Sequence, residues 1–322
     1  MECPRCEAKV SVKARFCDQC GTALTENGEF SHRKALDAFH RGRIDEALAT
    51  WDVALDLDPQ LSKAHYYKGL ALYDKGELQG AVDAFRRALQ DEPDSFRIHY
   101  KIGMALYGLG NLAGSIQSYQ QALKSNPNSS ETYYRLGLSK LRDTDLDGAK
   151  AALEKALQLN QGYTRARYIF AMVLAQRGDL EQAIKEYRQV VTQSPGYTAA
   201  RFDLGMALLK RGDIPEAADE FQLAVSNNPG FAPALFMLGE VYRKGGEFGE
   251  AIAWYRKFLD HNPKDSDALV RMAECYIQLD LLDGAAEALE KALKARPENR
   301  EAHYLKKRLG EMATPHKPGA TE

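Results

Sequence analysis

Four of the chain's five cysteines fall within its first 20 residues, as Cys3-x-x-Cys6 and Cys17-x-x-Cys20. Each pair can present two sulfurs to one ion. Together they supply the four thiolates of a closed tetrahedral zinc site, which leaves no open position for catalysis. In a reducing compartment such a cluster points to a metal rather than to two disulfides. A segment of roughly 25 residues has almost no core of its own, so bound metal is expected to supply its folding energy. Charges in this segment are balanced: Arg5, Lys9, Lys13 and Arg15 against Glu2, Glu7 and Asp18.

A second constellation is Asp143-x-Asp145-x-Asp147-Gly148-x5-Glu154, which matches a calcium-loop pattern letter for letter. Lys150 stands where that loop carries an aliphatic residue. A helix cap at Asp145 or Asp147 is the simpler use of the same carboxylates. Gly108-x-Gly110 with Gly114 follows no strand and is not a phosphate loop. No nucleophile, base and oxyanion arrangement stands out, so the chain reads as non-enzymatic.

These groups must be held by something, and the prolines announce what. Pro59, Pro93, Pro127, Pro195, Pro229, Pro263 and Pro297 lie 34 residues apart, or 68 where Gln161 takes the place of one. In that register eight units run from Gly28 to Asn299. Place 8 is always small: Ala35, Gly69, Gly103, Gly137, Ala171, Gly205, Gly239 and Ala273. Place 24 is always large: Trp51, Phe85, Tyr119, Leu153, Tyr187, Phe221, Tyr255 and Leu289. Small residues opposite large ones let two helices interlock, and the apolar spacing within each unit fits two amphipathic helices. Glycine at place 15, as in Gly42 and Gly76, predicts a left-handed stop between them. His65 and His99 occupy equivalent places in successive units, too far apart to share a metal. Cys275, at place 10 among alanines and valines, reads as a buried inert thiol.

The whole chain has 322 residues, with 43 Lys plus Arg, 45 Asp plus Glu and a formal charge of -2. That balance argues against a protein built to coat nucleic acid. No charged leader with an apolar segment opens the chain, and no apolar run approaches the roughly 18 residues of a membrane span. The expectation is a cytoplasmic protein with no membrane association.

The 34-residue pattern resembles the tetratricopeptide repeat family. The resemblance implies an all-α fold: a right-handed superhelix, or α-solenoid, whose first helices line a concave face. Residues 28–299 are the eight repeats, 300–312 a capping helix and 313–322 a flexible tail. Residues 1–25, with their two cysteine knuckles and Gly21, resemble short zinc ribbons, although Glu7 stands where glycine is usual. In the first helix, places 5 and 9 share one face. They give the candidate partner groove: Tyr66, Tyr100, Met104, Tyr134, Leu138, Tyr168, Met172, Phe202, Met206 and Phe236. Family members that clamp a C-terminal carboxylate carry asparagine at place 9 and lysine at place 5, and neither occurs here. Leucine and methionine make an adaptable apolar strip instead, suited to a helix or extended segment of a protein or peptide partner. Lys63, Arg97, Arg165, Arg33, Lys101 and Arg135 are expected to border one end positively, with Glu240 and Glu274 making the other acidic. The preferred function is an adaptor with a zinc ribbon as second module. The alternative is a transcription or RNA factor whose ribbon contacts nucleic acid.

Overall fold

The computed structural model describes residues 3, 5–11, 14, 16–22 and 27–313. Lys13, Arg15 and residues 314–322 of the tail expected at 313–322 lie outside the described residues, while Ala313 ends the last helix. Among those described there are 17 helices and no strand. The first helices of the units are α1 Gly28–His40, α3 Ser62–Asp74, α5 Phe96–Gly108, α7 Ser130–Arg142, α9 Thr164–Arg177, α11 Thr198–Arg211, α13 Ala232–Lys244 and α15 Ser266–Gln278. The second helices are α2 Ile44–Leu57, α4 Leu78–Ala88, α6 Leu112–Ser125, α8 Leu146–Leu159, α10 Leu180–Gln193, α12 Ile214–Asn227, α14 Phe248–His261 and α16 Leu282–Ala295. Every first helix starts at place 1 and every second helix at place 17. A final helix, α17, spans Arg300–Ala313 and packs on α16.

The turn between paired helices closes in one way throughout. The residue at place 15 is left-handed, and the next amide reaches back to the carbonyl five residues earlier, as in Glu77 N to Leu72 O at 2.9 Å. Where glycine is missing, Thr144 and Asp280 adopt the same left-handed conformation, with φ of 64° and 57°. The fourth unit therefore keeps its register. Gln161 in place of proline does not lengthen α8 either: Tyr163 N bonds Asn160 O at 3.1 Å, and Asn160 Oδ1 accepts from Gly162 N.

Within a hairpin the small and large places meet. A methyl added at Gly69, Gly103, Gly137, Gly205 or Gly239 would lie 2.5–2.7 Å from the facing Phe85, Tyr119, Leu153, Phe221 or Tyr255. Those large side chains are buried. Within residues 44–142 and 180–313 the second helix of a repeat then packs on the first helix of the next, as α4 does on α5 and α12 on α13. The chain forms two compact units that divide within α9, between Ala166 and Arg167.

Candidate functional site

In the first unit the four N-terminal sulfurs lie within 4.8 Å of one another. Cys3 Sγ is 3.4 Å from Cys20 Sγ, and Cys6 Sγ is 3.6 Å from Cys17 Sγ. Metal–sulfur bonds of about 2.3 Å at tetrahedral angles separate sulfurs by roughly 3.8 Å, so the cluster has the size of a four-thiolate site. The two knuckles repeat one geometry. Glu7 N bonds Cys3 O at 2.9 Å and Gly21 N bonds Cys17 O at 2.8 Å, while Cys3 N and Cys17 N donate to Ala8 O and Thr22 O. Glu7 and Gly21, at equivalent places, are both left-handed, with φ of 57° and 70°. Glutamate thus occupies a glycine conformation.

The Thr22 hydroxyl, with its amide, draws the Cys20 thiol down to about 6. At Cys6 the Ala8 amide favours the thiolate, but the Cys20 sulfur and burial outweigh it and push the thiol up to about 12. Clustered thiolates oppose one another unless a cation sits among them. These four cysteines could hold a metal ion. Cys275, by contrast, is fully buried, and its thiol is pushed up to about 12 by desolvation.

The aspartate-rich segment is helical from Leu146 onward, so Asp147 and Glu154 lie in α8 rather than in a loop. Asp145 Oδ1 caps that helix by accepting from Gly148 N at 2.8 Å, and its Oδ2 meets Lys140 Nζ at 2.8 Å. His65 and His99 each place a ring nitrogen on the carbonyl of the proline six residues earlier, at 2.9 and 2.7 Å.

The aromatic residues at place 5 are partly buried wedges. In the first unit Tyr66 packs on Phe85 (ring centroids 5.9 Å apart), Tyr100 on Tyr119 (5.9 Å) and Tyr134 on Tyr163 (5.1 Å). Tyr66 also borders a cleft of about 240 Å³ with Lys63 and Arg97. Met104 and Leu138 are half-buried beside these rings. Glu131 gathers the hydroxyls of Tyr100 and Tyr163 together with Arg135. In the second unit Tyr168 packs on Tyr187 and Tyr197, Phe202 on Phe221 and Phe231, and Phe236 on Tyr255 and Phe258.

Place 9 has the more open surface. Met172 and Met206, the latter 38% exposed, line a cavity of about 540 Å³ with Met237, Tyr187, Asp203 and Lys210. Lys244 also borders it. Met237, Asp203 and the two lysines were not among the groove residues read from the sequence. Place 6 held the signal, since Asp203 is the one acidic residue there among Arg33, Tyr67, Lys101, Arg135, Ile169, Met237 and Arg271.

The acidic end expected at Glu240 and Glu274 is not acidic in effect. Arg243 lies 3.0 Å from Glu240 and 3.5 Å from Glu274, and Arg271 lies 3.1 Å from Glu274. Burial disfavours the Glu240 carboxylate, yet hydrogen bonds from Arg243 and Tyr255 hold its pKa below the ordinary value. Arg243 follows Glu240 by three residues on α13 and Arg271 precedes Glu274 by three on α15, so each helix neutralises its own carboxylate, and Arg243 also reaches across to Glu274. Asp203 differs: burial raises its pKa, and only the Tyr168 hydroxyl, 2.7 Å away, works against that.

No helix among the described residues is long and apolar enough to cross a membrane. Models of the tetratricopeptide repeat match residues 37–76, 69–110 and 103–143, residues 134–198 and 202–266, and residues 242–309. A comparison with curated proteins gave no match. Among solved structures, a tetratricopeptide repeat protein from Parabacteroides merdae is similar with a TM-score of 0.56 and 17% identity, over 77% of this chain and 98% of that one. PilF of Pseudomonas aeruginosa is similar with a TM-score of 0.54 and 16% identity, over 66% and 97%. MamA is similar with a TM-score of 0.51 and 26% identity, over 53% and 93%.

Proposed function

The chain belongs to the tetratricopeptide repeat family, and from that premise we propose that it is a non-enzymatic adaptor that holds a segment of a partner protein along the first helices of its repeats. The observation that carries this reading is the cavity of about 540 Å³ whose wall is formed by Met172, Met206 and Met237. Methionine is unbranched and polarizable, so such a wall can adapt to aliphatic or aromatic anchors at small cost. Selection of a displayed library of random twelve-residue peptides on the full chain tests it. The wild type should enrich apolar anchors, and Met172→Ser with Met206→Ser should lose most of that enrichment. Equal enrichment by both proteins would remove the groove from the account.

In this reading residues 1–25 form a zinc ribbon, 28–299 the binding scaffold and 300–312 its capping helix. Zinc suits four thiolates of this spacing, and free thiols of this kind persist in the cytoplasm, where we place the protein. Elemental analysis should give one zinc per chain, lost on Cys17→Ser.

A second reading, contact of the ribbon with nucleic acid, draws support from a cleft of about 570 Å³ lined by Arg5, Phe30, Arg33, Lys34, Asp37 and Arg41. Asp37 is already paired with Arg41 at 3.0 Å. Affinity for a short RNA or DNA that falls steeply with added salt would favour this reading; indifference to nucleic acid leaves the adaptor alone.

A further inference from the structure

The methionine-walled cavity contains a carboxylate with no cation beside it. Asp203, on α11, lines the cavity, and the only hydrogen bond its carboxylate makes among the described residues comes from the Tyr168 hydroxyl. Three other partly buried carboxylates of the same unit each face an arginine: Glu186 meets Arg167 at 2.6 Å, Glu220 meets Arg201 at 2.9 Å and Glu240 meets Arg243 at 3.0 Å. A desolvated carboxylate is costly without a positive partner. The raised pKa of Asp203 has burial as its first cause.

Lys210 and Lys244 line the same cavity, and no carboxylate lies within ion-pair distance of either among the described residues. Lys210 follows Asp203 by seven residues on α11, which places it about 10 Å further along the helix axis at 1.5 Å per residue. The cavity therefore offers a negative floor and a positive end, with Met172, Met206 and Met237 around them. An extended chain covers about 10 Å in roughly three residues.

We propose that the segment held in this groove is an extended peptide that seats a lysine or arginine on Asp203 and carries an aspartate or glutamate about three residues away, toward Lys210 and Lys244. The proposal rests on the groove reading and specifies what that groove selects. The aliphatic stem of the basic residue lies along the methionines, so its head alone needs a charged partner. A guanidinium is the better fit, because two parallel N–H donors match a carboxylate.

The same displayed twelve-residue library tests this on four full-length proteins: wild type, Asp203→Asn, Tyr168→Phe and Lys210→Glu. Wild type should enrich a basic residue at one position and an acidic residue about three positions from it. Asp203→Asn should keep the apolar positions and lose the basic one. A synthetic peptide of the enriched sequence should bind this variant roughly tenfold more weakly, the usual scale for loss of a charge-assisted hydrogen bond. Tyr168→Phe removes the hydroxyl but keeps the carboxylate, so the basic preference should survive. That outcome separates ligand binding from a structural role of the Tyr168–Asp203 contact. Lys210→Glu changes an exposed side chain and should invert the acidic preference, which keeps the test decisive should Asp203→Asn fail to fold. Enriched peptides with apolar anchors and no basic residue overturn the proposal and leave the groove standing. A library that enriches nothing on wild type overturns the groove and this proposal together.

Discussion

Substituting Gly239→Ala and Gly249→Ala makes the same chemical change in the paired helices α13 and α14, with opposite expected signs. Alanine is favoured over glycine inside a helix by up to about 1 kcal/mol. At Gly249 a new methyl meets nothing within 4 Å, so the protein should gain a few tenths to about 1 kcal/mol. At Gly239 the methyl would sit 2.5, 2.7 and 2.8 Å from three carbons of the Tyr255 ring, against an ordinary carbon contact of about 3.5–4.0 Å. That ring is 0% exposed and its hydroxyl donates to Glu240 Oε1 at 2.6 Å, so it has little room to withdraw. Overpacking of this kind costs about 1–3 kcal/mol. Ala35 and Trp51, at the same two places of the first repeat, belong to one buried cluster, which shows that a hairpin can be built around alanine and puts the cost in the lower half of that range. After the helix gain is subtracted, Gly239→Ala should destabilise by about 1 kcal/mol. In urea unfolding followed by far-UV circular dichroism, this shifts the midpoint down by about 0.3–0.5 M for a slope of about 2–3 kcal/mol/M. Gly249→Ala should shift it up. A Gly239→Ala midpoint at or above wild type would refute the interlocking of small and large places.

Further expectations follow from the ribbon, the first unit and the aspartate-rich turn. Glu7→Gly removes a left-handed non-glycine residue (φ 57°) and should tighten metal binding about fivefold, equivalent to about 1 kcal/mol; chelator competition measures it, and an unchanged affinity counts against the knuckle geometry. His32 is buried, its pKa is lowered first by desolvation, and its Nδ1 accepts from Trp51 Nε1 at 3.0 Å. The unfolded chain takes up the proton first as pH falls below the ordinary value of 6.5, so stability should be level above that pH and decline below it. His32→Gln should flatten this decline in urea midpoints, and an identical decline in the variant would assign it to other groups. Asp145→Ala removes the cap of α8 and should cost about 1 kcal/mol, while added calcium should leave the wild-type midpoint where it is. A calcium-induced rise that Asp145→Ala abolishes would show that the segment opens into a metal loop.

The 34-residue period made the helix starts legible, because the positions that must be small, large or left-handed are set by contacts inside one hairpin. Ala47, Trp51 and Gly42 act within a single unit, and equivalent residues do so in the others. Thr144, Asp280 and Gln161 show that the turns tolerate substitution where the surrounding hydrogen bonds persist. The cysteine cluster was legible for the same local reason. Less visible were contacts that span the length of a repeat. Tyr163, Tyr197 and Phe231 close against the place-5 rings from the end of the repeat, a place where other units carry Leu61, Ser95 and Asp265. Glu240 and Glu274 read as acidic because the arginines three residues away on the same helices, Arg243 and Arg271, fall at other places of the repeat. Asp203 escaped notice because a repeat is recognised by what its copies share, whereas this residue matters by departing from them.

Seven methionines report directly on the groove. With methyl groups labelled in ¹³C, addition of a peptide enriched on the wild type should move the resonances of Met172, Met206 and Met237, which line the cavity, and leave that of Met272, buried in the core, in place. Binding that leaves those three resonances unmoved would contradict the assignment of this face as the surface that holds a partner.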